Sequence, residues 1–397
     1  MASPGNLEPG ESRGAKGGRA ELHPLARLPE DWLSTVESLG EPSYRARQIF
    51  GWIMGRGVLA PKKMSNLPKA LRCRLEELGL EEPSRVLTVS RSADGTKKLL
   101  LELGDRARIE CVLIPMTKAE TDADLTAVDD ADDEDELGES LPKHEPMKQR
   151  VTLCISTQVG CAMGCVFCAS GQAGLMRGLG AAEIVAQVLI ARRYLEPDEA
   201  LRNLVFMGMG EPLHHYDETA RALRLLTHPE GIGFSPRRIT LSTVGLVPGI
   251  RRLGQDFGGK LGLAISLHAA DDETRSRIVP INRRYPLGEL VQALRDYPLP
   301  RRRRITIEYT LISGVNDSRE QAQALVRLLT GLRVKLNLIP MNPIAASELG
   351  ASSAERVAAF REHLARAGLS CFVRTRRGDE VSAACGQLAL ASEIVRR

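Results

Sequence analysis

From residue 149 onward, short apolar runs alternate with amphipathic ones, and that alternation is the strongest constraint on what the chain can fold into. Strand-like runs fall at 150–156, 203–207, 238–243, 262–267, 304–311 and 334–339. Helical patterns, with apolar residues three or four positions apart, fall at 181–194, 217–227, 286–296, 318–330 and 353–367. Parallel strands need long crossovers, and a helix packed on the sheet supplies them with a fixed right hand. Six such units fall short of the eight that close a full barrel. The pattern therefore predicts an α/β fold, an open partial (β/α)₆ barrel of TIM type over 148–397. In barrels of this kind the chemistry collects at the C-terminal ends of the strands.

Four segments precede it. Residues 1–24 are rich in Gly, Pro and Ser, hold no apolar h-region and read as a disordered tail without a signal peptide. Residues 25–82 read as a small helical accessory domain. Its amphipathic segments open at Leu28-Pro29-Glu30-Asp31-Trp32 and run over Tyr44 to Met54 and Leu67 to Leu80. Residues 83–116 alternate and turn at Ala93-Asp94-Gly95, as a β-hairpin would. Residues 117–147 carry twelve acidic side chains and two basic ones, Lys118 and Lys143, and read as a flexible acidic insertion. The whole chain has a net charge of +4, but outside that stretch 52 basic residues face 38 acidic ones. A basic body suits a polyanionic partner such as RNA. No apolar run reaches the length of a transmembrane helix, so no membrane-spanning helix is expected, and the protein is expected to be cytoplasmic and monomeric.

The chain has eight cysteines. In a long chain without an export signal, metal binding or catalysis is a better use for them than a disulfide scaffold. Cys161-Ala-Met-Gly-Cys165-Val-Phe-Cys168 follows the first barrel strand. Three thiolates this close can reach one metal centre. A cubane iron–sulfur cluster is saturated by four ligands, so three leave one iron open to a substrate. The competing reading is a zinc site with a fourth ligand elsewhere, although zinc fingers favour paired Cys-x₂₋₄-Cys units.

The Cys-x₃-Cys-x₂-Cys spacing resembles the radical S-adenosylmethionine (SAM) superfamily. The surrounding residues narrow the resemblance. They are Leu153-Cys154-Ile155-Ser156-Thr157-Gln158-Val159-Gly160, Gly208-Met209-Gly210-Glu211-Pro212, Leu241-Ser242-Thr243-Val244-Gly245, and Ser266-Leu267-His268. Further along come Leu338-Ile339-Pro340-Met341-Asn342-Pro343, Arg377-Gly378-Asp379-Glu380 and Ala384-Cys385-Gly386-Gln387-Leu388. Together they resemble the RlmN/Cfr family of adenine-methylating RNA enzymes.

The resemblance implies a [4Fe–4S] cluster on Cys161, Cys165 and Cys168, with SAM held by Gly210, Glu211, Ser242, Ser266, Leu267, His268 and Asn342. It implies that Cys385 carries the methyl group as S-methylcysteine, using two SAM molecules. It also implies that Cys154 resolves the protein–RNA adduct by forming a disulfide with Cys385, and that Glu110 is the proton acceptor. The substrate it implies is C2 of an adenine in 23S rRNA, with tRNA as a further candidate and an electron donor it does not name. Cfr-like methylation at C8 and, in another class, a zinc-stabilised RNA-binding protein are the alternatives.

The residue types fit that chemistry on their own terms. Adenine C2 is electron-poor and cannot attack SAM directly, so carbon must be delivered to it as a radical. Glu211 is able to accept charge-assisted hydrogen bonds from an amino group. Read alone, Glu110 is expected to face solvent, His268 to be a satisfied core histidine, and Cys73, Cys111 and Cys371 to be structural. Arg301 to Arg304, Arg374, Arg376 and Arg377 are candidate RNA contacts, the first four expected at a sheet edge near the active-site face.

Overall fold

A computed structural model describes residues 22–116, 148–342, 344, 347–374, 378–383 and 386–388. Residues 1–21 of the expected tail, the acidic insertion, Arg376, Arg377 and Cys385 lie outside them, while Pro24 already opens a short helical turn, Pro24–Ala26.

Twelve strands are described. They are β1 (Ser84–Arg91), β2 (Lys97–Leu103), β3 (Arg108–Pro115), β4 (Gln149–Cys154), β5 (Gln158–Gly160), β6 (Leu175–Gly178), β7 (Glu199–Phe206), β8 (Ile239–Thr243), β9 (Gly262–Ser266), β10 (Ile305–Leu311), β11 (Val334–Pro340) and β12 (Cys371–Val373). Ten of them form one sheet in the order β1-β2-β3-β4-β7-β8-β9-β10-β11-β12. Strands β4 and β7 to β12 are parallel to one another, and β1 to β4 pair antiparallel. The helices Ala181–Ala191, Tyr216–Thr227, Val247–Phe257, Leu287–Asp296, Arg319–Leu329 and Ala354–Arg366 fill the crossovers. This is the expected open barrel of six strand–helix units, with β12 added as a seventh parallel strand.

The alternation inside the strands explains what the barrel encloses. In β10 the positions Ile305, Ile307, Tyr309 and Leu311 face the helical layer, where the Tyr309 ring lies 5.3 Å from that of Phe360. The other parity, Thr306, Glu308 and Thr310, faces inward. Ser266 of β9 and Asn337 of β11 stand level with Glu308, so the interior presents a polar row.

Helix Ala181–Ala191 is buried on nearly every side, with ten of its eleven residues out of solvent. Such a helix needs cover on its outer side. The N-terminal module supplies it: Arg192 Nη1 reaches the Gly55 carbonyl at 3.5 Å, and Leu189 packs 3.9 Å from where a Cβ on Gly57 would sit. The module contains the helices Pro29–Ser38, Tyr44–Phe50 and Lys69–Glu77, around a buried Trp32.

Two expectations change. The hairpin over 83–116 is a three-stranded antiparallel meander that continues the barrel sheet through β3 and β4. Its second turn, at Gly104 to Ala107, has Arg106 at φ +66° and lacks the usual Asn-Gly or Asp-Gly signal. The second correction concerns Arg301 to Arg304. They lead into β10, an interior strand, at its N-terminal end. That is the pole opposite the C-terminal strand ends, so the run lies neither at an edge nor on the active-site face. Its members brace loops there: Arg303 Nη1 donates to the Lys260 carbonyl at 2.8 Å and Arg304 Nη1 to Ser370 Oγ at 2.7 Å.

The residues that flank 117–147 emerge at this same pole. Met116 N donates to the Arg150 carbonyl at 2.8 Å, where β3 ends and β4 begins. No helix among the described residues is long and apolar enough to cross a membrane.

Candidate active site

At the C-terminal ends of the parallel strands lies a cavity. Cys161, Cys165 and Cys168 line it, as do Gly210, Glu211, Ser242, Ser266, His268 and Asn342. Nine of the expected site residues thus share one wall. Leu267 is buried behind it, its N–H donating to the Glu308 carbonyl at 3.0 Å.

The cysteine loop is held by close backbone contacts. Cys161 N donates to the Gly174 carbonyl at 2.9 Å, and Val166 N to the Ile278 carbonyl at 3.1 Å. Cys161 and Cys165 are buried. Burial pushes the Cys161 thiol up to about 12, with Cys168 and Glu211 adding to the rise. Cys165 is pushed well above the ordinary thiol value, first by burial and then by Cys168 and Cys161. Burial thus holds Cys161 and Cys165 as thiols, and they become thiolates only when a cationic centre joins them. The donor set therefore fits an iron–sulfur cluster. Among the described residues no three His, Cys, Asp or Glu side chains form a compact single-ion cage.

Glu211 ends the loop after β7. Its Oε1 accepts from Leu213 N at 3.0 Å and its Oε2 from Val244 N at 2.9 Å. Burial nevertheless pushes its carboxyl up to about 7 from an ordinary 4.5, the backbone donors offsetting part of the rise. The preceding Gly210 has φ +103°, and a Cβ there would stand 2.5 Å from Gln158 Cβ. Gln158 fastens the loop, its Oε1 accepting from Glu211 N at 2.9 Å.

A consequence for stability follows. Between pH 4.5 and 7 the folded, ligand-free chain keeps a proton on Glu211 that the unfolded chain has released. Its stability share therefore falls as pH rises through that window, by about 3 kcal/mol, and is level above it. Glu211→Gln should erase this slope, so urea unfolding should show the variant gaining on the parent between pH 5 and pH 8. An equal difference at the two pH values contradicts the assignment.

His268 is the satisfied histidine the sequence suggested, but it also faces the cavity. Thr310 N donates to its Nδ1 at 3.0 Å, which leaves the proton of the neutral ring on Nε2. Burial, then Arg275, holds its pKa down to about 3. Its φ of +58° is a conformation that non-glycine residues adopt at a cost, and its ring meets Phe167 edge-on at 4.6 Å.

Glu110 is buried, against the solvent-facing expectation, and lies 3.0 Å from Lys98 Nζ. Ser156 Oγ donates to its carbonyl at 2.6 Å. Val112 pairs with Cys154, so the two-residue period puts Glu110 and Cys154 on one face of the sheet. Cys154, also buried, is the last residue of β4, and neither it nor Glu110 forms part of the cavity wall. Cys385 lies outside the described residues, but Gly386 lines the cavity, its carbonyl accepting from Ala169 N at 2.8 Å. The segment before it is pinned by the β1–β2 turn: Gly378 N donates to Asp94 Oδ2 at 3.0 Å and Ala93 N to Glu380 Oε2 at 3.0 Å.

Several wall residues escaped the sequence reading, among them Phe167, Met341 and Glu308. Glu308 had a usable signal, a carboxylate in the middle of the apolar strand Ile305–Leu311. It lies 3.5 Å from Ser242 Oγ and 3.9 Å from Arg374 Nη1, so Arg374 is aimed into the barrel.

Known proteins with the same pattern agree among themselves. Residues 155–326 match the Radical SAM superfamily, and residues 30–79 match the ribosomal RNA large subunit methyltransferase N-terminal domain. The dual-specificity RNA methyltransferase RlmN of Sorangium cellulosum is 61% identical over 383 residues, covering 95% of this chain and 98% of its own. Its namesake from Syntrophobacter fumaroxidans is 46% identical, covering 90% and 94%. The crystal structure of a radical SAM methyltransferase from Sphaerobacter thermophilus superposes with a TM-score of 0.80 at 42% identity, covering 92% of this chain and 98% of that one. With a relative this similar over nearly its whole length, the chain belongs to the RlmN family of radical SAM RNA methyltransferases.

Proposed function

We propose that this enzyme methylates C2 of adenine 2503 in 23S rRNA and C2 of adenine 37 in tRNA, with Cys385 as the methyl carrier. One observation carries the reading: Gly386, the neighbour of Cys385, lines the same cavity as the three thiols of the cysteine triplet. The dual specificity in the names of the RlmN relatives supports the second substrate.

In this reading Cys161, Cys165 and Cys168 hold a [4Fe–4S] cluster. Gly210, Glu211, Ser242, Ser266, Leu267, His268 and Asn342 hold SAM. Together the bound cluster and SAM supply a radical able to abstract hydrogen from a methyl group. The protein's own part begins with the Cys385 sulfur, which takes a methyl from a first SAM and presents it to the adenine ring. Glu110 accepts the proton that leaves C2, with Lys98 as its counter-ion at 3.0 Å. Once the methyl carbon bridges Cys385 and C2 and one electron has left the adduct for the oxidised cluster, Cys154 attacks the Cys385 sulfur; the sulfur–carbon bond breaks, its electron pair takes up a proton to complete the methyl group, and the disulfide formed releases the methylated RNA. An external reductant restores both thiols. The target base must be unstacked to reach such a cavity.

Nucleoside mass spectrometry of rRNA and tRNA from cells with and without the protein tests this. 2-Methyladenosine should disappear from both RNAs with the gene. Loss of 8-methyladenosine instead would assign C8. A colourless, zinc-loaded protein from anaerobic purification would reject the cluster altogether.

The acidic stretch plays no part in this scheme, because its flanking residues emerge at the pole remote from the cavity. Deleting 119–145 should leave methylation of 23S rRNA within about twofold of the parent, since changes away from the active machinery have small effects. A folded deletion variant that no longer methylates contradicts this.

A further inference from the structure

Arg275 is fully buried, on the helix Asp272–Ile278 behind the cysteine loop. A buried guanidinium ordinarily has a carboxylate partner. Here, among the described residues, no carboxylate lies within ion-pair distance. Its four hydrogen bonds go to neutral groups instead. Nε donates to the Leu267 carbonyl at 2.9 Å and Nη1 to Asn282 Oδ1 at 2.8 Å. Nη2 donates to the Val244 carbonyl at 2.6 Å and the Ser266 carbonyl at 3.2 Å. Three of these acceptors are the strand-end loops after β8 and β9 that form the cavity wall.

Burial lowers the Arg275 guanidinium to about 10, still protonated at neutral pH, and the groups that act against that fall are Cys165, then Asp272. The influence is mutual, since Arg275 pulls the Cys165 thiol downward. Asp272 is committed elsewhere, its Oδ1 accepting from Asn282 Nδ2 at 2.8 Å and from Leu287 N at 2.8 Å. The same helix touches the cysteine loop through the bond from Val166 N to the Ile278 carbonyl. A permanent cation is thus locked behind one of the three cluster thiols.

We propose that Arg275 is a positioning residue for the redox step: its fixed positive charge raises the reduction potential of the cluster. The inference rests on the reading that the triplet holds a cubane. Three thiolates on a cubane core of charge 2+ give a net charge of 1−, and one electron from an external low-potential donor makes it 2−. In a buried site that added charge is costly unless a cation is already present, and net charge is one of the controls on cluster potential. Arginine suits the role, because its guanidinium stays protonated while its planar fork engages several carbonyls at once.

The test is a redox titration of the anaerobically reconstituted, full-length protein, following the reduced cluster by electron paramagnetic resonance. At a fixed ambient potential Arg275→Gln should show at least about a tenfold lower ratio of reduced to oxidised cluster, equal to a midpoint about 59 mV more negative. Arg275→Lys, which keeps a cation, should stay within about threefold of the parent ratio. Asn282→Ala removes one contact of the clamp without removing its charge and should also leave the ratio in place. A parent-like ratio in Arg275→Gln overturns the proposal while leaving the cubane reading intact. If Arg275→Gln does not fold, a tenfold fall in Arg275→Lys overturns it equally. A parent protein that takes up no reducible cluster removes both.

Discussion

Cys385→Ala should abolish methyl transfer to RNA while leaving the cluster and the cleavage of SAM in place. Alanine cannot carry a methyl group, and no other thiol is proposed for that role. The loss should be on the order of 10⁴-fold or more, as expected when the nucleophile of a covalent mechanism is removed. Iron content should remain at about four per chain. Methylation and SAM cleavage are then measured on one sample, the first by nucleoside mass spectrometry and the second by release of 5′-deoxyadenosine. Wild-type methylation in this variant would end the proposal that Cys385 is the carrier.

Cys165→Ala should fail differently, losing iron, SAM cleavage and methylation together. Cys165 lies within the wall, buried between Cys161 and Cys168 in sequence, and its neighbours bear on its charge. Removing one of three ligands leaves two, too few to hold a cubane, and burial keeps the Cys161 thiol protonated. The fold itself should tolerate the change, because a sulfur replaced by hydrogen leaves a small cavity costing about 1 kcal/mol. Anaerobic iron analysis and chemical denaturation of the same preparation separate the two effects. A variant that keeps a full cluster would show that the triplet is not its ligand set.

The barrel was legible because its inner strands are long, apolar and separated by amphipathic helices. β12 was not: three residues, with Phe372 exposed and its neighbours half-buried, carry no periodic signal. The meander was read as a hairpin because the turn at Arg106 lacks the residues that usually announce one. Position along a strand misled more than pattern did. Arg301 to Arg304 adjoin β10, but a strand has two ends, and a charge run does not say which of them carries the chemistry.

The nine wall residues shared by sequence reading and structure all lie at strand ends or in the short polar or glycine-bearing segments after them, which is where a barrel leaves marks in its sequence. Arg275 left none. It sits in Asp-Glu-Thr-Arg-Ser-Arg-Ile, a segment that reads as an ordinary exposed helix. Only the packing of that helix on the cysteine loop turns one of its two arginines inward.

The junction between β3 and β4 has a practical meaning for anyone handling this protein. The two strands are hydrogen-bonded neighbours, so whatever joins them must start and finish within one strand spacing. Lengthening such a connection costs little, about 0.6 kcal/mol for each doubling. A fluorescent or affinity module whose own termini lie close together could be spliced in there, and the catalyst should go on turning over beneath it.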